Sequence, residues 1–347
     1  MSIFIFLTAS RQLDKPELQL ESIRVVYMNS LTLGKGEDAL KFGLRVPSLR
    51  KKSAMRTSAN TVVTYPIVAA LVKAEDILGK NRVWTPINGM QSRFLADFFR
   101  MCRHESLGIP EIESIASWSA DEINTFLRQR GFDIQLQPFG SLTFGIASVL
   151  YVLVEWLEKG EKTRVKCVLD QQWYDAARLK NGVAYLRSSI HRHPIAAIAT
   201  KTGDVVYMTK IDDAPDGFDL VAMAEQLANL SRRVYEFGGL VFPMVDLNQQ
   251  VDVSWILKMQ TSTDARTEAS ISQAVQQTIL KMNEEGARAK SAFAGAVTIL
   301  GTSRPIEKPD MIIDAPFLVW FMRPLLNKPL FVGYIATEVW KNPGSIH

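Results

Sequence analysis

Between residues 38 and 131 apolar positions recur at helical spacing; from residue 141 onward they alternate or run in short blocks. The spacing predicts a helix over 38–46, interrupted by Pro47. Residues 60–80 read as a short strand, a proline at a helix start and an apolar helix, and 81–87 ("NRVWTPI") as a strand. A helix over 91–102 turns Phe94, Leu95, Phe98 and Phe99 inward. Another spans 119–131, with Ser119 before the first turn, Glu122 three residues on as in a capping box, and Gly131 closing it. Candidate strands follow at 141–156, 166–170, 182–187, 195–200, 204–210, 239–247, 276–282, 315–322 and 329–339, interrupted by one helix over 219–237. Helices early and strands late predict an α+β fold with long non-local pairing. No Pro/Gly/Ser-rich linker divides the chain, so the expectation is one domain over 1–347.

One stretch has a strand's pattern in a loop's position. From Ala287 the small or apolar residues Ala287, Ala289, Ser291, Phe293, Gly295 and Val297 share one parity, and Arg288 and Lys290 the other. Yet Glu284, Glu285 and Gly286 open the stretch like a turn, and "GTSRPIEKPD" closes it like an exposed linker.

Composition is that of a globular protein, 47% hydrophobic and 22% charged. The net charge of +4, from 40 basic and 36 acidic residues, is too mild to argue for nucleic acid as a partner. Cys102 and Cys167 read as two buried free thiols. His191 and His193 would share one side of a strand, but no Cys, Asp or Glu at ligand spacing accompanies them, so no metal and no cofactor is expected. The start "MSIFIFLTAS" lacks a secretory signal's basic lead and long apolar core, which favours an intracellular over an extracellular location. No stretch has the ~18 apolar residues of a membrane-spanning helix, so no membrane partner is expected. Nucleophile elbow, phosphate loop, dinucleotide fingerprint and zinc motif are all missing, and nothing argues for an enzyme.

Residues 271–286, "ISQAVQQTILKMNEEG", resemble the segment that leads into the reactive loop of serpins, the large serine protease inhibitor family. Glu284, Glu285, Gly286, Ala287 and Ala289, with Ser291 beyond them, match that family's loop hinge. Past the loop, "APFLVWFMRPLLNKPLFVGYIATEVWKNP" is similar to the serpin C-terminal signature: Pro316-Phe317, Gly333 and Asn342-Pro343 match it. More weakly, 146–156 resembles the third strand of the main sheet, with Trp156 at the sheet's top, and 122–130 the helix that lies across it. Residues 240–260 resemble a proline-containing strand and a following helix. The resemblance covers nearly the whole chain, loosely before residue 55. It implies a serpin-like domain with a large central mixed sheet, smaller sheets, surrounding helices and an exposed reactive loop at about 284–310.

The resemblance also implies a function. Serpins switch by loop insertion: a cut loop enters the main sheet as a new strand. About ten new ladder hydrogen bonds at ~1 kcal/mol net each would release on the order of 10 kcal/mol, comparable with a domain's whole stability. The expected partner is a target serine or cysteine protease, trapped by a monomeric inhibitor; the alternative is a non-inhibitory binding or carrier protein. Counting the family's distance from Gly286 sets the reactive bond between Leu300 and Gly301, which suits a chymotrypsin- or elastase-like primary pocket. Some departures bear on sheet opening. The family's serines around the proline of 60–68 are Tyr65 and Val68 here, its histidine before the hinge is Gln276, and its third-strand asparagine is Ser148. Gln276 and Ser148 could rebuild hydrogen bonds there. Phe293 stands where a small residue is usual.

Overall fold

The computed structural model describes residues 58–132, 134–152, 155–286 and 308–344. All lie in the second of the chain's two units, Ser53–His347; the first is Met1–Lys52. The helix expected at 38–46 falls outside the described residues, as do Ala287, Ala289, Ser291, Phe293, Leu300 and Gly301.

Strand β1 (Asn60–Val62) leads into helix α1 (Tyr65–Leu78), as expected. Pro66 presets the first turn, and α1 ends at Gly79, whose N–H donates to the Glu75 carbonyl at 3.0 Å. Residues 81–87 are not a strand: Thr85 alone exchanges backbone bonds, with Gln260, before Pro86 removes the next donor. Helix α2 (Gly89–Phe94) starts where the Asn88 side chain accepts from the Gln91 N–H, and continues through a π-helical segment, Leu95–Phe99, to Arg100–Cys102. Phe94, Phe98 and Phe99 are buried, and Leu95 is half-buried.

β2 (Ile112–Ser117) precedes α3 (Ala120–Gln129). Ser119 precedes the first turn as expected, but its side chain makes no capping bond. Ser117 is the residue whose hydroxyl accepts from the Ser119 N–H and donates to Glu122. Next come β3 (Thr143–Val152), β4 (Glu161–Lys166), β5 (Trp173–Leu179), β6 (Val183–Ser188), β7 (His191–Ala199) and β8 (Val205–Lys210). The strand expected at 166–170 is instead a turn, in which the Gln171 N–H donates to the Cys167 carbonyl at 3.1 Å. Helix α4 (Phe218–Asn229) is shorter than the expected 219–237. Its end is marked by the Ser231 hydroxyl donating back to the Leu227 carbonyl, and β9 (Ser231–Val234) then pairs with β6.

β10 (Gly239–Pro243) and β11 (Val245–Val251) are followed by a short 3₁₀ turn, Ser254–Ile256, where a helix was expected. β12 (Gln260–Ser262) and the long β13 (Glu268–Met282) come next, and β14 (Asp310–Ile312), β15 (Phe317–Met322) and β16 (Phe331–Ile335) complete the described elements.

Three sheets result. One has seven strands in the order β1-β16-β15-β8-β7-β6-β9, and one has four, β14-β10-β5-β4. The third is mixed, β11-β13-β3-β2 with β12 on the end of β13. β3 and β13 pair with each other in this five-stranded sheet, although the seven-stranded one is larger. Both faces of the mixed sheet are covered. Phe144, Ile146 and Leu150 join the core that contains α1, while Ala147, Val149 and Val275 pack under Ile123 and Leu127 of α3. A strand buried on both faces reads as a continuous apolar run, as β3 does. Gly145 has no room for a side chain: a Cβ there would lie 2.3 Å from the Phe139 ring.

Candidate functional site

β3 and β13 meet along the middle of the five-stranded sheet. They are parallel from Thr143 opposite Ser270 to Val152 opposite Leu280, with a register shift on β13 between Ile271 and Gln273, while the flanking β11–β13 and β2–β3 pairs are antiparallel. Parallel pairing is slightly less stable per residue, so this seam is the weakest ladder of the sheet's middle.

The seam is lined on the α1 side by polar groups. Ser148 of β3 lies opposite Gln276 of β13, with Ser114 of β2 next in the same row. The Gln276 amide donates to the Val63 carbonyl, just before α1, at 3.3 Å. Ser148 is fully buried and its hydroxyl has no hydrogen-bond partner. Thr278, opposite Leu150, is also fully buried with an unpartnered hydroxyl, and so is the hydroxyl of Thr64. A buried polar group left unsatisfied costs about 1–3 kcal/mol. The expected rebuilding of a network by Gln276 and Ser148 is therefore half met: Gln276 finds an acceptor and Ser148 does not.

Tyr65 and Val68, also expected at this level, are fully buried. The Tyr65 hydroxyl bonds outside the seam's polar row: it donates to Glu105 and accepts from the Lys328 N–H at 3.3 Å, tying the start of α1 to the turn before β16. Burial, and then the Glu105 bond, raise the Tyr65 phenol well above its ordinary range.

Above Leu280 the pairing changes. Residues 283–286 reverse the chain, and Gly286 pairs antiparallel with both Asn283 and Glu155. Gly286 thus stands between the continuations of β13 and β3, where the first residue of an intervening strand would stand. Its φ of 116° is a conformation that glycine alone adopts readily.

The turn is held from the β3–β4 connection. The Trp156 indole N–H donates to the Asn283 carbonyl at 3.0 Å, and the Gly160 N–H to the Glu284 carbonyl at 2.7 Å. Lys162 pairs with the buried Glu284 carboxylate at 3.3 Å, and Lys159 with Glu285, whose hydrogen bond holds the Lys159 ammonium above its usual range. Trp156 is buried at the top of the sheet, bridged to Thr200.

The structure therefore brings together Trp156, Glu284, Glu285 and Gly286 at the top of the seam, and Ser148 and Gln276 midway down it. Thr278, Thr64, Lys159 and Lys162 escaped the sequence reading. Thr278 had a signal: it is a polar residue on the same parity of β13 as Gln276 and the buried Leu280. Nothing local marks the two lysines, whose partners lie more than a hundred residues away. His191 and His193 do share one side of β7, with ring centroids 5.6 Å apart, far along the chain from this site. Cys102 and Cys167 are buried free thiols.

Residues 244–337 match the family model described as Serpin (serine protease inhibitor). No curated protein matches the chain in sequence. Uncleaved ovalbumin superposes with a TM-score of 0.53 at 14% identity, covering 81% of this chain and 94% of that one. Tengpin, a thermophilic serpin in its native state, gives 0.52 at 10% identity, covering 82% and 90%. Human thyroxine-binding globulin, in complex with thyroxine, gives 0.51 at 12%, covering 80% and 91%. The chain has the α+β serpin fold.

Proposed function

We propose that this protein is a serpin-type protease inhibitor. A chymotrypsin- or elastase-like serine protease attacks the bond between Leu300 and Gly301, and the loop's N-terminal part then enters the seam between β3 and β13. The observation that carries this reading is Gly286, already paired on both sides at the top of a parallel seam. A strand running down from it would be antiparallel to both neighbours, replacing the one parallel ladder with two antiparallel ones. Extended, residues 287–300 reach on the order of 45 Å, more than the paired length of the seam. Glu284, Glu285 and Gly286 act as hinge, with Ala287, Ala289 and Ser291 as the small inward residues that follow.

A second reading, a serpin-fold binding or carrier protein, is favoured by Phe293 on the inward parity and by Tyr65 and Val68 in place of the family's serines. Incubation with chymotrypsin, elastase and trypsin, followed by a denaturing gel, separates the two. Inhibition predicts a stable complex of summed mass with one of the first two, lost in Leu300→Asp because a carboxylate is costly to desolvate in an apolar pocket. Ala289→Arg should turn the inhibitor into a substrate, while Ala292→Arg on the other parity should change little. Clean cleavage with no complex under any of the three proteases would sink inhibition and leave the carrier reading.

A further inference from the structure

The corner of the four-stranded sheet where β4 turns into β5 has no part in the seam. The hairpin closes with Lys166 opposite Trp173 and with the Cys167 N–H donating to the Gln172 carbonyl at 2.9 Å. Cys167 is buried, but the turn beyond it holds two consecutive aliphatic residues in water: Val168 is 51% exposed and Leu169 48%. Trp173 beside them is 55% exposed. A single exposed aliphatic side chain is ordinary, whereas three large apolar ones on one hairpin end call for a partner. The turn is anchored. The Val168 N–H donates to the Asp314 carbonyl at 2.8 Å, and the Gln171 amide to the Val168 carbonyl at 2.9 Å.

Cations stand in order behind this tip. Lys166 is directly opposite Trp173, and Arg164 is two residues further back on the same face. The Arg164 guanidinium lies 5.9 Å from the centroid of the Trp173 ring. Exposed Lys341 follows Trp340, whose ring packs edge-on against Tyr174 with centroids 5.1 Å apart. The acidic groups nearby are engaged within the protein. Asp170 accepts from the Tyr174 hydroxyl at 2.6 Å and the Gln172 N–H at 2.9 Å, and Asp175 accepts from the Asn342 amide at 3.4 Å.

We infer that the β4–β5 hairpin is a membrane-contact site, which lays Val168, Leu169 and Trp173 into the surface of an anionic lipid bilayer with Lys166 and Arg164 at the level of the lipid phosphates. Aliphatic, then aromatic, then cationic is the order in which acyl boundary, interface and headgroups are met. Same-face positions on a strand are about 7 Å apart, which suits the ~5–10 Å depth of an interfacial contact. A projecting tip favours a bilayer over a protein, because lipid surrounds the end of a hairpin and a protein partner covers one face of it. Among the described residues no helix is long and apolar enough to cross a membrane, but a contact at the surface needs none. The inference is independent of protease inhibition.

The test is sedimentation of the full chain with vesicles of phosphatidylcholine alone and of phosphatidylcholine mixed with phosphatidylserine. The chain should pellet with the mixed vesicles and not with phosphatidylcholine alone, and added salt should release part of it. Val168→Ser combined with Leu169→Ser should weaken binding at least about tenfold, and Lys166→Gln about fivefold. Leu325→Ser, at a residue 88% exposed on the β15–β16 turn, should leave binding unchanged. Mixed vesicles should shift tryptophan emission to the blue, and Trp173→Phe should abolish the shift. The inference is overturned if the chain ignores mixed vesicles, if the double serine variant or Lys166→Gln binds as well as the unaltered chain, or if the shift survives Trp173→Phe. Binding to polyglutamate as tight as to mixed vesicles, and equal with and without the double serine change, would assign the cations to an acidic protein and overturn the membrane site.

Discussion

The seven-stranded sheet and the β3–β13 seam use the same backbone chemistry to opposite ends. Every ladder of the seven-stranded sheet is antiparallel, and two of its inner strands, β15 and β16, are lined by large buried side chains: Phe317, Trp320, Phe321, Phe331 and Tyr334. Trp320 stacks on Tyr207 with centroids 5.0 Å apart. The seam is parallel and lined by Ser148, Gln276 and Thr278. Unpartnered polar atoms do not separate the two, for the Trp320 indole and the Tyr185 hydroxyl also lack partners. What separates them is ladder direction and the size of the packed groups. A ladder of large rings has no lower state to reach by opening, whereas on the proposed function a parallel seam of small polar groups would gain by admitting a strand.

That contrast can be broken most directly by cutting the loop. Nicking between residues 298 and 305 should raise the melting temperature by more than about ten degrees in calorimetry. A gain on the order of 10 kcal/mol, at roughly 1.4 °C per kcal/mol for a chain of this size, sets the scale. Identical melting of intact and nicked protein would mean that the seam does not open. Next in size, Phe317→Ala in the seven-stranded sheet should cost about 3–5 kcal/mol in denaturant unfolding, equally in intact and nicked protein, so the difference between the two forms stays the same. A loss confined to one form would couple the two sheets.

Smaller still, Thr278→Val should stabilise the intact form by about 1 kcal/mol by removing an unpartnered hydroxyl. The nicked form should not share this gain, so the rise on cutting should shrink; equal stabilisation of both forms would mean that cutting leaves the surroundings of Thr278 unchanged. The smallest effect tests the seven-stranded sheet through pH. Burial, and then the charge of His193, hold the His191 imidazole below its ordinary range, and burial does the same for His193. Arg192, Lys210 and Asp212 are the other charged groups around them. Both rings therefore stay neutral in the fold at a pH where the unfolded chain binds protons. Their contribution is complete above the unfolded value of ~6.5 and is lost as pH falls through the lower native values. His191→Gln should flatten stability against pH just below 6.5, while Thr278→Val should leave that slope alone.

Much of this contrast was legible in the sequence. The blocks that became β15 and β16 are continuous apolar runs, and they form where their pattern sets them. The hinge and the C-terminal signature pointed to the fold. Edge and connecting strands were missed for a physical reason. β4, "EKTRVK", buries only Val165 deeply, and β9, "SRRV", carries exposed arginines on a sheet edge, so neither shows an apolar face to read. α4 was overextended because "SRRVYEF" keeps helical spacing, and only pairing with β6 decides otherwise. In the site, Ser148 and Gln276 stood out as departures from a family pattern, but their lack of a shared hydrogen bond depends on Val63, more than two hundred residues from Gln276. The clamp on the hinge was invisible, since Lys159 and Lys162 look like any solvated charges until the turn at 283–286 comes to rest beside them.

Gly286 also bears on rate. Adding a strand to a sheet is normally slow at its first contact, because the chain must find its register and close a loop before any bond is made. Here the first pairing on each side exists before the loop is touched, held by Trp156, Gly160 and the two lysines. On the proposed insertion, a strand entering from this point would have no search to make, and its speed would be set by how fast β3 and β13 part. Variants at the far end of the loop would then leave the rate of entry unchanged, and those at the hinge clamp would alter it.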